Sequence, residues 1–94
     1  MRVVVLLPGA LREHAEGRDQ VTVELPEGAR VEDLVNDVSC RWPAVGRRLR
    51  EDSGVLRRHV NLFVDGQDVR ALNGIRTALQ DGAVVHVLPS VAGG

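Results

Sequence analysis

Val31-Glu32-Asp33-Leu34-Val35-Asn36-Asp37-Val38-Ser39-Cys40-Arg41-Trp42 is the stretch on which the fold turns. Its apolar residues Val31, Leu34, Val35, Val38 and Trp42 fall at i, i+3, i+4, i+7 and i+11. That spacing makes one stripe at helical period, so an amphipathic helix with a single buried face is expected. Glu32 and Asp33 stand in its first turn, where the helix dipole favours anions. Arg30 takes the cap position and is a poor residue for it by capping chemistry. Pro43 either ends this helix or opens a second short one, covering about residues 44–50.

On the N-terminal side, Val3 to Leu7 is a β-branched run stopped by Pro8 and Gly9, hence a strand. Gln20 to Leu25 alternates, with Val21, Val23 and Leu25 on one face. The two strands can pair antiparallel through a loop running from Ala10 to Asp19. On the C-terminal side, His59 to Asp65 places Val60, Leu62 and Val64 on one face, and Asp65-Gly66 is a turn signal. After an irregular stretch, Ala83 to Leu88 forms the last strand. The order β, β, α, β, β around one main helix predicts a two-layer α+β domain. The expected architecture is a β-grasp: a mixed sheet with its first and last strands adjacent and the helix packed on one face. Val3, Val5, Val23, Leu34, Val38, Leu62, Val64, Val85 and Val87 are the expected core. Residues 1–88 form the domain, and 89–94 a flexible tail.

Twelve basic residues against thirteen acidic ones leave a formal charge of −1, so no global basic field recruits nucleic acid or an anionic membrane. Stacking aromatics, with one Phe, one Trp and no Tyr, are too few for RNA recognition. No apolar run approaches the roughly 20 residues that span a bilayer. The opening Met1-Arg2-Val3-Val4-Val5-Leu6-Leu7 is too short for a signal peptide and reads better as a strand. A lone cysteine, Cys40, leaves no internal disulfide and no sign of an oxidising compartment. A cytoplasmic monomer is expected.

The chain closes on Ser90-Val91-Ala92-Gly93-Gly94. A terminal Gly-Gly arises by chance in roughly one protein in 200, so by itself it is a frayed end. Its setting says more. The six residues from Pro89 onward reach up to about 20 Å. Gly93 and Gly94, lacking side chains, can enter a channel too narrow for other residues. An enzyme that must bring a protein carboxylate to ATP needs such an arm. Leu79-Gln80-Asp81-Gly82-Ala83-Val84-Val85-His86-Val87-Leu88 followed by this tail resembles the closing signature of the MoaD/ThiS family of ubiquitin-like sulfur carriers. Asn61-Leu62-Phe63-Val64-Asp65-Gly66-Gln67-Asp68-Val69-Arg70 also resembles it, most of all the carriers that serve cysteine synthesis in actinobacteria. Ala83 and Arg30 depart from the family pattern, away from the tail.

The resemblance implies a carrier that catalyses nothing itself. Gly94 would be the covalent acceptor, adenylated and then converted to a thiocarboxylate, with Gly93 and Ala92 as spacer. The partners implied are an activating enzyme of the MoeB/ThiF type, which uses ATP and Mg²⁺, and a biosynthetic enzyme that takes the sulfur. No cofactor is expected on the carrier. The small subunit of molybdopterin synthase and an isopeptide-forming modifier are the alternatives.

Strand parity supplies a docking surface. If Val60, Leu62 and Val64 pack on the helix, Phe63 faces the open side of the sheet, as do His86 and Leu88, joined by Val4 and Leu6. Phe63 and Leu88 are expected to be substantially exposed there. Arg47, Arg48, Arg50, Arg57 and Arg58 cluster locally, either as a solvated face or as a steering patch for an acidic partner. Cys40 should face solvent, opposite the apolar stripe. His14, His59 and His86 lack metal-ligand spacing.

Overall fold

In chain order, β1 (Arg2–Leu6) leads through a short helix α1 (Gly9–Arg12) and a 3-10 turn at Glu13–Ala15 into β2 (Gln20–Glu24). Next come α2 (Val31–Arg41), α3 (Pro43–Leu49), β3 (Val60–Val64) and β4 (Gln67–Asp68). Two further 3-10 turns, Val69–Ala71 and Gly74–Arg76, precede β5 (Val84–Pro89). The structure is a computed structural model and describes residues 1–89.

The strands form one mixed sheet in the order β2-β1-β5-β3-β4. β1 is antiparallel to β2 and parallel to β5, while β3 is antiparallel to both β5 and β4. The first and last strands are therefore neighbours, as a β-grasp requires, and β5 lies at the centre. At the edge, the Arg2 Nε donates to Glu24 at 2.8 Å across the β1–β2 pair. That hydrogen bond, followed by the carboxylate's charge, raises the Arg2 pKa.

The α2 stripe is buried as its spacing demands: Val31, Leu34, Val35 and Val38, with Trp42 just beyond. All nine residues expected in the core are buried. Arg30 caps poorly, as expected, and the cap is supplied from inside the helix. The Asp33 carboxylate accepts from the Arg30 backbone N–H at 2.7 Å, the returning half of a capping box. Pro43 opens α3 rather than merely ending α2, because its missing N–H costs nothing in a first turn.

α2 and α3 meet at Gly46 for a steric reason. A Cβ there would lie 2.3 Å from the Ser39 Oγ and 3.0 Å from the Ser39 Cα, and that hydroxyl already donates to the Val35 carbonyl at 2.6 Å. Gly46→Ala therefore has to push α3 off α2, with an expected loss of about 1–3 kcal/mol in urea unfolding. A loss below about 0.5 kcal/mol, the range of an ordinary surface change, would mean that the two helices part freely.

Two expectations need correction. The segment from Ala10 to Asp19 is not all loop. α1 and its 3-10 turn bury Leu11 and Ala15, one helical turn apart, and the Trp42 indole N–H donates to the Glu16 carboxylate at 2.9 Å. The sheet has a fifth strand as well. β3 returns through Asp65-Gly66, both with positive φ (49° and 88°), into the two-residue β4. That is the geometry of a two-residue hairpin whose first residue tolerates the left-handed region and whose second is glycine.

Candidate functional site

The pleat of β1, β5 and β3 turns Val4, Leu6, Val84, His86, Leu88, Asn61 and Phe63 away from the helices. Register aligns them. Leu6 pairs with His86, and His86 with Phe63, so the three make a row across the middle of the sheet, ended by Gln20 on β2 and Asp68 on β4. Val4 pairs with Val84, and Leu88 with Asn61, which gives the rows on either side. The docking residues read from parity thus lie on one continuous face.

Their exposure differs from expectation. Phe63 and Leu88 are half-buried rather than substantially exposed, as are Val4 and Leu6, and His86 is exposed. Neighbours directly across a sheet bring their Cβ atoms to about 4.5–5.5 Å, so each apolar side chain is shielded by the ones beside it. Val84, at 38% exposure the most open apolar residue of this face, was missed. The parity that selected His86 and Leu88 applies to it equally.

Where β5 leaves the sheet there is a cleft of about 240 Å³. Pro8, Leu11, Val60, Val87 and Leu88 give it an apolar lining, joined by Arg48 and His59. Sequence reasoning did not find it, because its walls come from separate parts of the chain. Arg70 fixes the loop beside it. Its guanidinium donates to the Asn61 Oδ1 at 2.6 Å, the Val60 carbonyl at 2.7 Å and the Arg57 carbonyl at 3.1 Å.

The arginine cluster is partly structural. Arg57 donates to the Arg47 carbonyl at 2.7 Å, Arg48 to the Ala44 carbonyl at 3.1 Å, and Arg50 to the Asn36 side chain. Cys40 is exposed on α2. Among the described residues no group of three or more His, Cys, Asp or Glu side chains could hold a metal ion. No helix there is long and apolar enough to cross a membrane. β5 runs through Pro89, the first residue expected in the tail, and Ala92, Gly93 and Gly94 lie outside the described residues.

This geometry has relatives. The chain is 36% identical over 96 residues to the sulfur carrier protein CysO of Mycobacterium tuberculosis, and the match covers all of both chains. It is also 36% identical over 78 residues to small archaeal modifier protein 3 of Haloferax volcanii, covering 83% of this chain and 84% of that one. Among solved structures, a chain of the Amycolatopsis orientalis BexX/CysO complex superposes with a TM-score of 0.83 at 36% identity, covering 98% of this chain and 99% of that one. The ThiS family model matches residues 5–94, nearly the whole length, and the chain is therefore a member of the ThiS family.

Proposed function

We propose that this chain is a sulfur carrier whose reacting group is the carboxylate of Gly94. The observation that carries the reading is the end-to-end match to a sulfur carrier protein, in a chain that itself ends in Gly93-Gly94 just beyond the central strand of its sheet. A carboxylate resists nucleophiles at neutral pH. An activating enzyme of the MoeB/ThiF type, with ATP and Mg²⁺ bound to that enzyme, joins the Gly94 carboxylate to AMP and releases pyrophosphate. Sulfide, or an equivalent sulfur donor, then attacks the acyl carbon and expels AMP, leaving the thiocarboxylate. A biosynthetic partner takes the sulfur for cysteine, a thiosugar or a similar metabolite. The carrier contributes reach, through residues 90–94, and identity, through the folded face beside them. Its own side chains perform no catalysis.

Intact-mass measurement tests this directly. After incubation with ATP, an activating enzyme and sulfide, the chain should gain the mass difference of one sulfur replacing one oxygen. A second reading, favoured by the similarity to an archaeal modifier protein, is transfer of the Gly94 acyl group to amines of other proteins. It predicts conjugates of higher mass in place of that small gain. An unchanged mass defeats both.

The open sheet face serves in this scheme as the docking surface for the activating enzyme. Phe63→Asp puts a charge at the end of the Leu6–His86–Phe63 row and should weaken that complex about tenfold or more by calorimetry. Because Phe63 is only half-buried, the melting curve should move little. Unchanged affinity would return Phe63 to an ordinary surface role.

A further inference from the structure

All twelve basic side chains of this protein are arginine, and it contains no lysine. For a chain whose own carboxyl end becomes an acyl donor, that composition has a chemical meaning. An acyl-adenylate is consumed by any neutral amine that reaches it. The nitrogen lone pair attacks the acyl carbon, the bond to AMP breaks, AMP leaves, and the extra proton passes to water. Lysine supplies such amines, with about one side chain in a thousand unprotonated at pH 7.4 from its reference pKa. A guanidinium stays protonated in proteins and offers no lone pair. We infer that this chain is a one-way acyl donor: it can hand on its carboxyl group, but it carries no side-chain amine on which a second copy, or its own tail, can be fixed.

The inference rests on the proposed activation of Gly94 and adds to it. The remaining primary amine is that of Met1, which donates to the Leu25 carbonyl at 2.6 Å. β1 and β5 run parallel, so Met1 stands at the end of the sheet opposite the tail's exit. By this register Met1 is level with residue 81, eight residues or roughly 26 Å from the exit at Pro89, and the tail would have to double back to cover it. The exposed Cys40 thiol can take the acyl group only as a thioester, which the next thiol or sulfide removes. The positions that matter most are those near the exit. Arg48 lines the cleft beside Leu88, and five residues of tail reach up to about 18 Å. An amine tethered at such range acts at an effective concentration of about a millimolar, enough to compete with a partner enzyme. Whatever accepts from this protein must therefore bring its own nucleophile. If it modifies other proteins, it does so as single copies and never as chains linked through its own side chains.

The test uses the full chain carrying its C-terminal carboxyl group as a small-molecule thioester, prepared chemically. No activating enzyme is involved, so its outcome is separate from whether Gly94 is adenylated. At mildly alkaline pH, intact mass should show only thioester and hydrolysed acid for the parent chain. Arg48→Lys, with Arg58→Lys as a second variant, should lose thioester at least about tenfold faster, the scale set by a tethered amine. The product should be an internal amide lighter than the acid by one water, or a covalent dimer resistant to thiols. Covalent dimers or internal amide in the parent chain would overturn the inference. Lysine variants as inert as the parent would overturn it too, by showing that missing amines are not what keeps the chain single.

Discussion

Deletion of Gly94 is expected to abolish sulfur loading and to leave the melting temperature unchanged. The two halves of that result have separate causes. Among the described residues the hydrophobic core runs from Val3 to Val87 and the last strand ends at Pro89, so the stability of the domain is expected to rest on residues that the deletion leaves in place. Its removal moves the reacting carboxylate back by one residue, roughly 3.5 Å. A misplacement of about 1 Å already costs on the order of a hundredfold in a positioned reaction. Gly93→Val makes the complementary case. The carboxylate remains at the end of a chain of full length, but a branched side chain precedes it and should block entry to the partner's channel. Mass measurement after incubation with ATP, the activating enzyme and sulfide gives the loading, and a thermal melt gives the stability. Normal thiocarboxylate formation by the shortened chain would defeat the carrier reading.

Leu34→Ala has the largest expected effect on stability, a loss of about 2–5 kcal/mol. Leu34 is 2% exposed. It shares with Val5, Leu49, Leu62, Val85 and Val87 the lining of a gap of only about 10 Å³, so the surrounding side chains have almost no slack. Truncation removes apolar surface from a close-packed site and leaves a hole that a helix and a sheet cannot readily collapse to fill. Against a total of about 5–15 kcal/mol for a typical domain, that is a large share. Chemical denaturation measures it, and a loss below about 1 kcal/mol would show that the helix does not pack as described.

The helix and the four longer strands were legible because each carries a complete period of its own pattern. Val31 to Trp42 spans three helical turns, and Val21/Val23/Leu25 and Val60/Leu62/Val64 are whole alternations. α1 escaped because Leu11 and Ala15 are a single apolar pair among Arg12, Glu13 and His14, too short a segment to define a stripe. β4 escaped because two residues, Gln67 and Asp68, hold no alternation at all. The open face could be read from parity, but the half-burial of Phe63 and Leu88 could not. Shielding depends on which residue of another strand stands opposite, and register is set by pairings between distant parts of the chain. The cleft at the exit of β5 depends on the same long-range assembly. The tail was read by another route, from its two glycines together with the resemblance of the closing segment to a known family, which owes nothing to periodicity.

β5 is the last strand to be synthesised, yet it occupies the middle of the sheet, between β1 and β3. Until it arrives, those two strands have no partner in common, and the parallel pair joining β1 to β5 links residues about 80 positions apart. Pairings of such long sequence separation are slow to form and come late in folding. The row Leu6–His86–Phe63 comes into being only when β5 inserts, and it does so in the same event that fixes the point from which the tail departs. A partner that grips this row before touching the terminus is in effect inspecting the molecule for completeness. If the open face is the docking surface proposed above, a misfolded copy that carries its Gly-Gly end still lacks the composite surface the partner grips, and a completed fold becomes a condition of activation.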